Sequence, residues 1–65
     1  MAHAQLHICT NHRDIYRRVR VYLHSRLIDY GRWDPEMPVS TAKREVKRRL
    51  ARDHGYVGRV SWDID

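Results

Sequence analysis

The sequence predicts a small α+β domain of β-α-α-β order, an antiparallel helix hairpin packed on a two-stranded antiparallel sheet. Three observations lead there. Residues 3–10 (HAQLHICT) and 57–64 (VGRVSWDI) alternate side chains with the period of two that marks a half-buried strand. The stretch Asn11–Tyr30 contains no Gly or Pro and brings Ile15, Tyr16, Val19, Tyr22, Leu23, Leu27 and Tyr30 into one arc at about 100° per residue. Residues Thr41–His54 place Ala42, Val46 and Leu50 on a second, narrower helical stripe.

Taken in order, the first strand turns Ala4, Leu6 and Ile8 one way and His3, Gln5, His7 and Cys9 the other. Thr10 or Asn11 offers a side-chain oxygen to cap the first helix, and Asp14 complements its dipole. Gly31 is a natural C′ residue after Tyr30. On that helix Val21 and Ile28 fall opposite the core arc, flanked by Arg17 and His24. With Trp33 they form a candidate secondary interface. The loop Arg32–Val39 (RWDPEMPV) holds both prolines and cannot be helical throughout. Its apolar anchors, Trp33 and Met37, are expected to fold back over one end of the core.

Ser40 or Thr41 caps the second helix, Gly55 ends it, and Tyr56 stands where a hydrophobic contact closes a Schellman motif. The final strand then lies antiparallel beside the first. The expected core is Leu6, Ile8, Ile15, Val19, Leu23, Leu27, Val46, Leu50, Val60 and Trp62. Two strands leave open edges and an uncovered face, so a homodimer that extends the sheet, or a partner strand, is expected.

Sixty-five residues make a single small basic domain, 1–65, and a chain this short buries only about 60% of its unfolded surface. Cys9 is the only cysteine, which fits a reducing compartment and argues against a disulfide scaffold. No apolar run approaches the ~18 residues of a membrane span, and the N-terminus lacks the charged and apolar regions of a signal peptide. A cytoplasmic protein without a membrane partner is expected. Thirteen basic against eight acidic residues give a net charge of +5, which points to acidic partners. Eleven of the thirteen are arginine, a bias that a GC-rich genome also produces, so charge alone does not decide.

The residues offer little catalytic chemistry. His7-x-Cys9-x-x-His12 is one loose trio without the second ligand pair that a tetrahedral zinc site needs, so no metal and no other cofactor is expected. Cys9 with His7 or His12 lacks a third orienting group, and the Asp63/Asp65 pair sits at a chain end. Gly55-x-x-Gly58 is too short for a phosphate loop. No catalytic residue is assigned and the protein is read as a non-enzyme.

The basic second helix carries the functional expectation. Lys43, Arg44, Lys47 and Arg48 form one band, continued by Arg52. Over residues 40–54 six cations face only Glu45 and Asp53. Such a band can meet successive phosphates of a nucleic acid. The reading is a small basic binding protein that contacts nucleic acid through its backbone. The alternative is an inhibitor or accessory protein, of the kind phages and mobile elements encode, that docks on an acidic surface of a larger protein or nucleoprotein complex. That protein would add Arg17, Val21, His24, Ile28 and Trp33 to its contact. The nine-residue, two-proline connection between the helices is too long for a helix-turn-helix.

Overall fold

In the computed structural model, which describes residues 1–65, the stretch Asn11–Tyr30 is not a helix but β-structure interrupted by two tight turns. Strand β1 spans Ala2–Asn11, β2 Asp14–Leu23 and β3 Arg26–Trp33; helix α1 spans Val39–His54 and β4 Val60–Ile64. One helix therefore packs on a four-stranded mixed sheet of order β3-β2-β1-β4, which replaces the expected helix hairpin on two strands. The cause is legible in Arg18–Leu23: Val19, Val21 and Leu23 alternate with Arg18, Arg20 and Tyr22. Branched and aromatic residues in that order suit a pleated, half-buried strand better than a helix.

Two two-residue loops turn the chain. His12-Arg13 closes ten register pairs between β1 and β2, from Ala2↔Leu23 to Asn11↔Asp14. His24-Ser25 joins β2 to β3 with φ of 49° and 67°, and His12 has φ 56°. Positive φ at both loop residues is what a type I′ hairpin turn requires. In β3 the register moves from Val19↔Gly31 to Arg20↔Asp29, leaving Tyr30 as the extra residue of a bulge beside Gly31.

β4 pairs with β1 in parallel, Ala2↔Val60 to Leu6↔Ile64, not antiparallel as expected. Three antiparallel strands leave β3 running the same way as β1. Helix α1 then carries the chain back, so the next strand must point along β1.

Ala2, Ala4 and Leu6 of β1, Val19 and Val21 of β2, and Trp33 pack with Ala42, Val46 and Leu50 of α1 as the core. Leu6, Val19, Val46 and Leu50 are where the sequence placed them. Val21, expected outside, has no exposed surface, whereas Ile8, Ile15 and Leu27, expected inside, are 39%, 60% and 51% exposed. Leu27 pairs with Tyr22 and shares its outward side of the sheet. Ile8 and Ile15 lie near the far end of the hairpin, and the pairing of β4 stops at Leu6. Trp33 does fold over the core, at 8% exposure. With four strands and a helix on one face, the argument for a homodimer from a two-stranded sheet no longer holds. No helix is long and apolar enough to cross a membrane.

Helix α1 starts two residues before Thr41, after a turn in which Asp34 accepts the N–H of Glu36 on Oδ1 at 2.9 Å and that of Met37 on its carbonyl at 3.2 Å. No side chain caps it. At its other end Gly55, at φ 63°, donates to Ala51 O in the 5→1 bond of an αL cap rather than the expected Schellman motif, and Tyr56 donates to Leu50 O, both at 3.1 Å. A Cβ on Gly55 would meet no atom within 4 Å, so its substitution tests backbone conformation alone. Gly55→Ala is expected to cost about 1–2 kcal/mol, lowering Tm by at least roughly 4 °C in a calorimetric scan.

Candidate nucleic-acid interface

Ala42, Val46 and Leu50 turn one side of α1 to the sheet, and that fixes which side the cations face. Arg44, Lys47, Arg48 and Arg52 are exposed. Lys43 is half-buried, with Nζ 5.4 Å from the centroid of the Trp62 ring. The acidic residues of the helix are fully engaged. Glu45 Oε1 accepts from Arg48 NH2 at 2.6 Å and from Arg49 Nε at 3.0 Å, while Oε2 accepts from Arg48 Nε at 3.0 Å. Asp53 accepts from Arg52 Nε and NH2 at 2.7 and 3.1 Å. Arg49 also lies over Trp33 and Tyr30, 4.8 and 5.4 Å from their centroids, so it belongs to the packing of the helix. Arg44 and Lys47 remain without an ion-pair partner.

Hydrogen bonds from Arg48 and then Arg49 pull the Glu45 carboxyl down to about 2. Asp53 is likewise held below its ordinary value by Arg52. Because the folded pKa of Glu45 is depressed, its contribution is present above the ordinary value of 4.5 and is lost as pH falls towards about 2. Wild type is expected to melt above Glu45→Gln near neutral pH, by a small margin because the cluster faces solvent. Melting curves over falling pH should show that margin closing in this window.

The expected secondary interface disperses. Val21 and Ile28 are register partners that both face α1 rather than a stripe on an outer helix face. Arg17 is 6% exposed; its NH1 donates to Leu6 O at 3.4 Å, and its Nε has no partner. Trp33 donates Nε1–H to Tyr30 O at 3.1 Å from within the core. Only His24 is exposed, at a hairpin turn, with Nδ1 3.5 Å from the Met1 amino group and its ring edge-on to Tyr56, centroids 6.1 Å apart. These five residues do not form one contact surface.

The other candidates also find structural roles. His7 Nε2 lies 3.1 Å from Asp63 Oδ2, and Cys9 donates its S–H to His7 O at 3.8 Å. His12 is in the turn, and no three His, Cys, Asp or Glu side chains gather as a metal site would require. Asp65 Oδ2 accepts the N–H of Ile8 at 3.0 Å. Gly58 is small because the Tyr56 hydroxyl would lie 2.8 Å from a Cβ there.

What sequence reasoning missed is the sheet face turned away from α1. Along β2 it carries Tyr16, Arg18, Arg20 and Tyr22. Arg32 of β3 lies over the Tyr16 ring at 4.3 Å. Arg18 reaches Asp29 with NH2 at 2.5 Å and Nε at 3.3 Å, and Asp29 also accepts the Gly31 N–H at 2.8 Å. The alternation in residues 18–23 was the available signal. Comparison with protein-family models, curated proteins and solved structures finds no match, so function is argued from these surfaces.

Proposed function

We propose that this protein is a non-enzymatic nucleic-acid-binding domain that holds the phosphate backbone through Lys43, Arg44, Lys47, Arg48 and Arg52 on α1. The observation that carries this reading is that Arg44 and Lys47 stand exposed on successive turns with no carboxylate to neutralise them. Arg48 and Arg52 bind their carboxylates through Nε and NH2 only, which leaves NH1 of each for a phosphate oxygen. Contacts of this type release counterions and read little sequence. Titration of labelled duplex and single-stranded oligonucleotides at rising salt tests it. Binding that is tolerant of sequence and falls steeply with salt is expected; no binding at low salt refutes the reading.

A protein partner with an acidic surface is the second reading. It is favoured by Ile8 and Ile15, exposed apolar residues on one face of the hairpin. An interface with an apolar centre survives moderate salt, whereas backbone binding does not. Capture from lysate with and without nuclease separates the two.

A further inference from the structure

We infer that the open face of the sheet is a platform for the unstacked bases of a single-stranded nucleic acid. This rests on the reading of the protein as a nucleic-acid binder, but it concerns a different surface from the band on α1 and a narrower class of ligand. The alternation of β2 places Tyr16, Arg18, Arg20 and Tyr22 in one row, on a strand flanked by neighbours on both sides. The register sets Tyr22 between His3 and Leu27, and Arg20 between Gln5 and Asp29. The side chains of that row are thus flat rings and guanidinium planes. A solvated sheet face needs only polar groups; it does not need flat ones.

Unpaired guanidinium groups on this face can meet a polyanion. Asp29 is held by Arg18 and Asp63 lies against His7, while Asp14, at the turn end of the same row, has no cation partner. Arg20 and Arg32 form no ion pair, and the Nε of Arg20 is enclosed without a hydrogen-bond partner. Tyr22 is 38% exposed. Tyr16 and Tyr22 are six residues apart on one strand, about 20 Å, so each ring serves a different base; at the half-buried Tyr16, where Arg32 already lies over the ring, a base takes the place of that guanidinium or stacks beside it. Bases of any identity stack on such rings while arginines follow the backbone, and a duplex keeps its base faces stacked out of reach.

The experiment compares a fluorescein-labelled oligothymidylate with a labelled duplex, against wild type, Tyr16→Leu/Tyr22→Leu and Arg44→Glu/Lys47→Glu. The single strand is expected to bind wild type at least about tenfold more tightly than the duplex, and the double tyrosine variant to lose about tenfold or more of that affinity. Amide shifts of the wild-type protein, mapped by NMR on addition of the oligothymidylate, should centre on residues 16–22 whether or not the tyrosine variant folds. Equal affinity for both probes, with shifts confined to α1, overturns the platform and leaves the band on α1 standing. Loss of single-strand binding in the tyrosine variant, with none in Arg44→Glu/Lys47→Glu, supports the platform and removes the α1 reading. No binding of either probe at low salt removes both.

Discussion

Val21→Asp is expected to abolish cooperative folding, whereas Tyr22→Asp, one residue further on, leaves the protein folded. Val21 has no exposed surface and sits in β2 between its register partners Ala4 and Ile28. A carboxylate there has no cation among those partners, and burying an unpaired charge costs several kcal/mol. Loss of the valine's own burial adds roughly 1.5–3 kcal/mol. Small domains hold little more than about 5 kcal/mol of stability, so the sum exceeds what is available. Tyr22 points to the uncovered face, and an aspartate there keeps its charge in water. A helix over Asn11–Tyr30 requires the reverse outcome, with Val21 outside and Tyr22 in the core. Circular dichroism and urea unfolding of the pair measure this directly. A folded Val21→Asp beside an unfolded Tyr22→Asp would overturn the sheet assignment.

The two ends of the chain were legible because their signals were unambiguous. Residues 3–10 and 57–64 alternate, and 41–54 combine a helical stripe with a terminal glycine. The observed elements agree with these to within about three residues. The middle was not legible, because His12-Arg13 and His24-Ser25 carry none of the Asn-Gly or Asp-Gly pairs that announce a hairpin. Without those breaks the apolar residues of 11–30 also satisfy a helical arc, and length favoured the helix. The strand period in residues 18–23 competed with that arc, and a short period-2 window is weaker than a long period-3.6 one.

That one error propagated. It moved Val21 from core to surface, sent Leu27 the other way, and reversed the direction of the last strand. It also hid the row Tyr16, Arg18, Arg20, Tyr22, which coheres only when successive side chains point to opposite faces. The band on α1 was legible because the helix was, but its ion pairing was not. Glu45 could be seen to lie near Arg48 and Arg49; that it takes both, leaving Arg44 and Lys47 unpaired, depends on side-chain geometry.

The ion pairing sharpens the last expected result, which concerns Arg44→Glu/Lys47→Glu. Both residues are exposed and neither is in an ion pair, so the variant should keep the circular dichroism spectrum and melt within a few degrees of wild type. Helix propensity scarcely differs among Arg, Lys and Glu, and a carboxylate at position 44 lies four residues before Arg48, a favourable spacing. Binding should change far more. Two cations become two anions at the centre of the band, so two phosphate contacts are lost and the incoming carboxylates repel their neighbours. The slope of log affinity against log salt should shrink by about 2, at roughly 0.9 per phosphate contact on duplex DNA. Each contact is worth more at low salt, so the loss of affinity should be greatest there and narrow as salt rises. Arg48→Gln is the contrasting control, since its charge is already largely answered by Glu45 and its removal should reduce the slope less. An unchanged affinity and slope in the double variant would mean that the outward side of α1 is only a solvated face. The sheet row from Tyr16 to Tyr22 would then be left as the surface on which to seek a ligand.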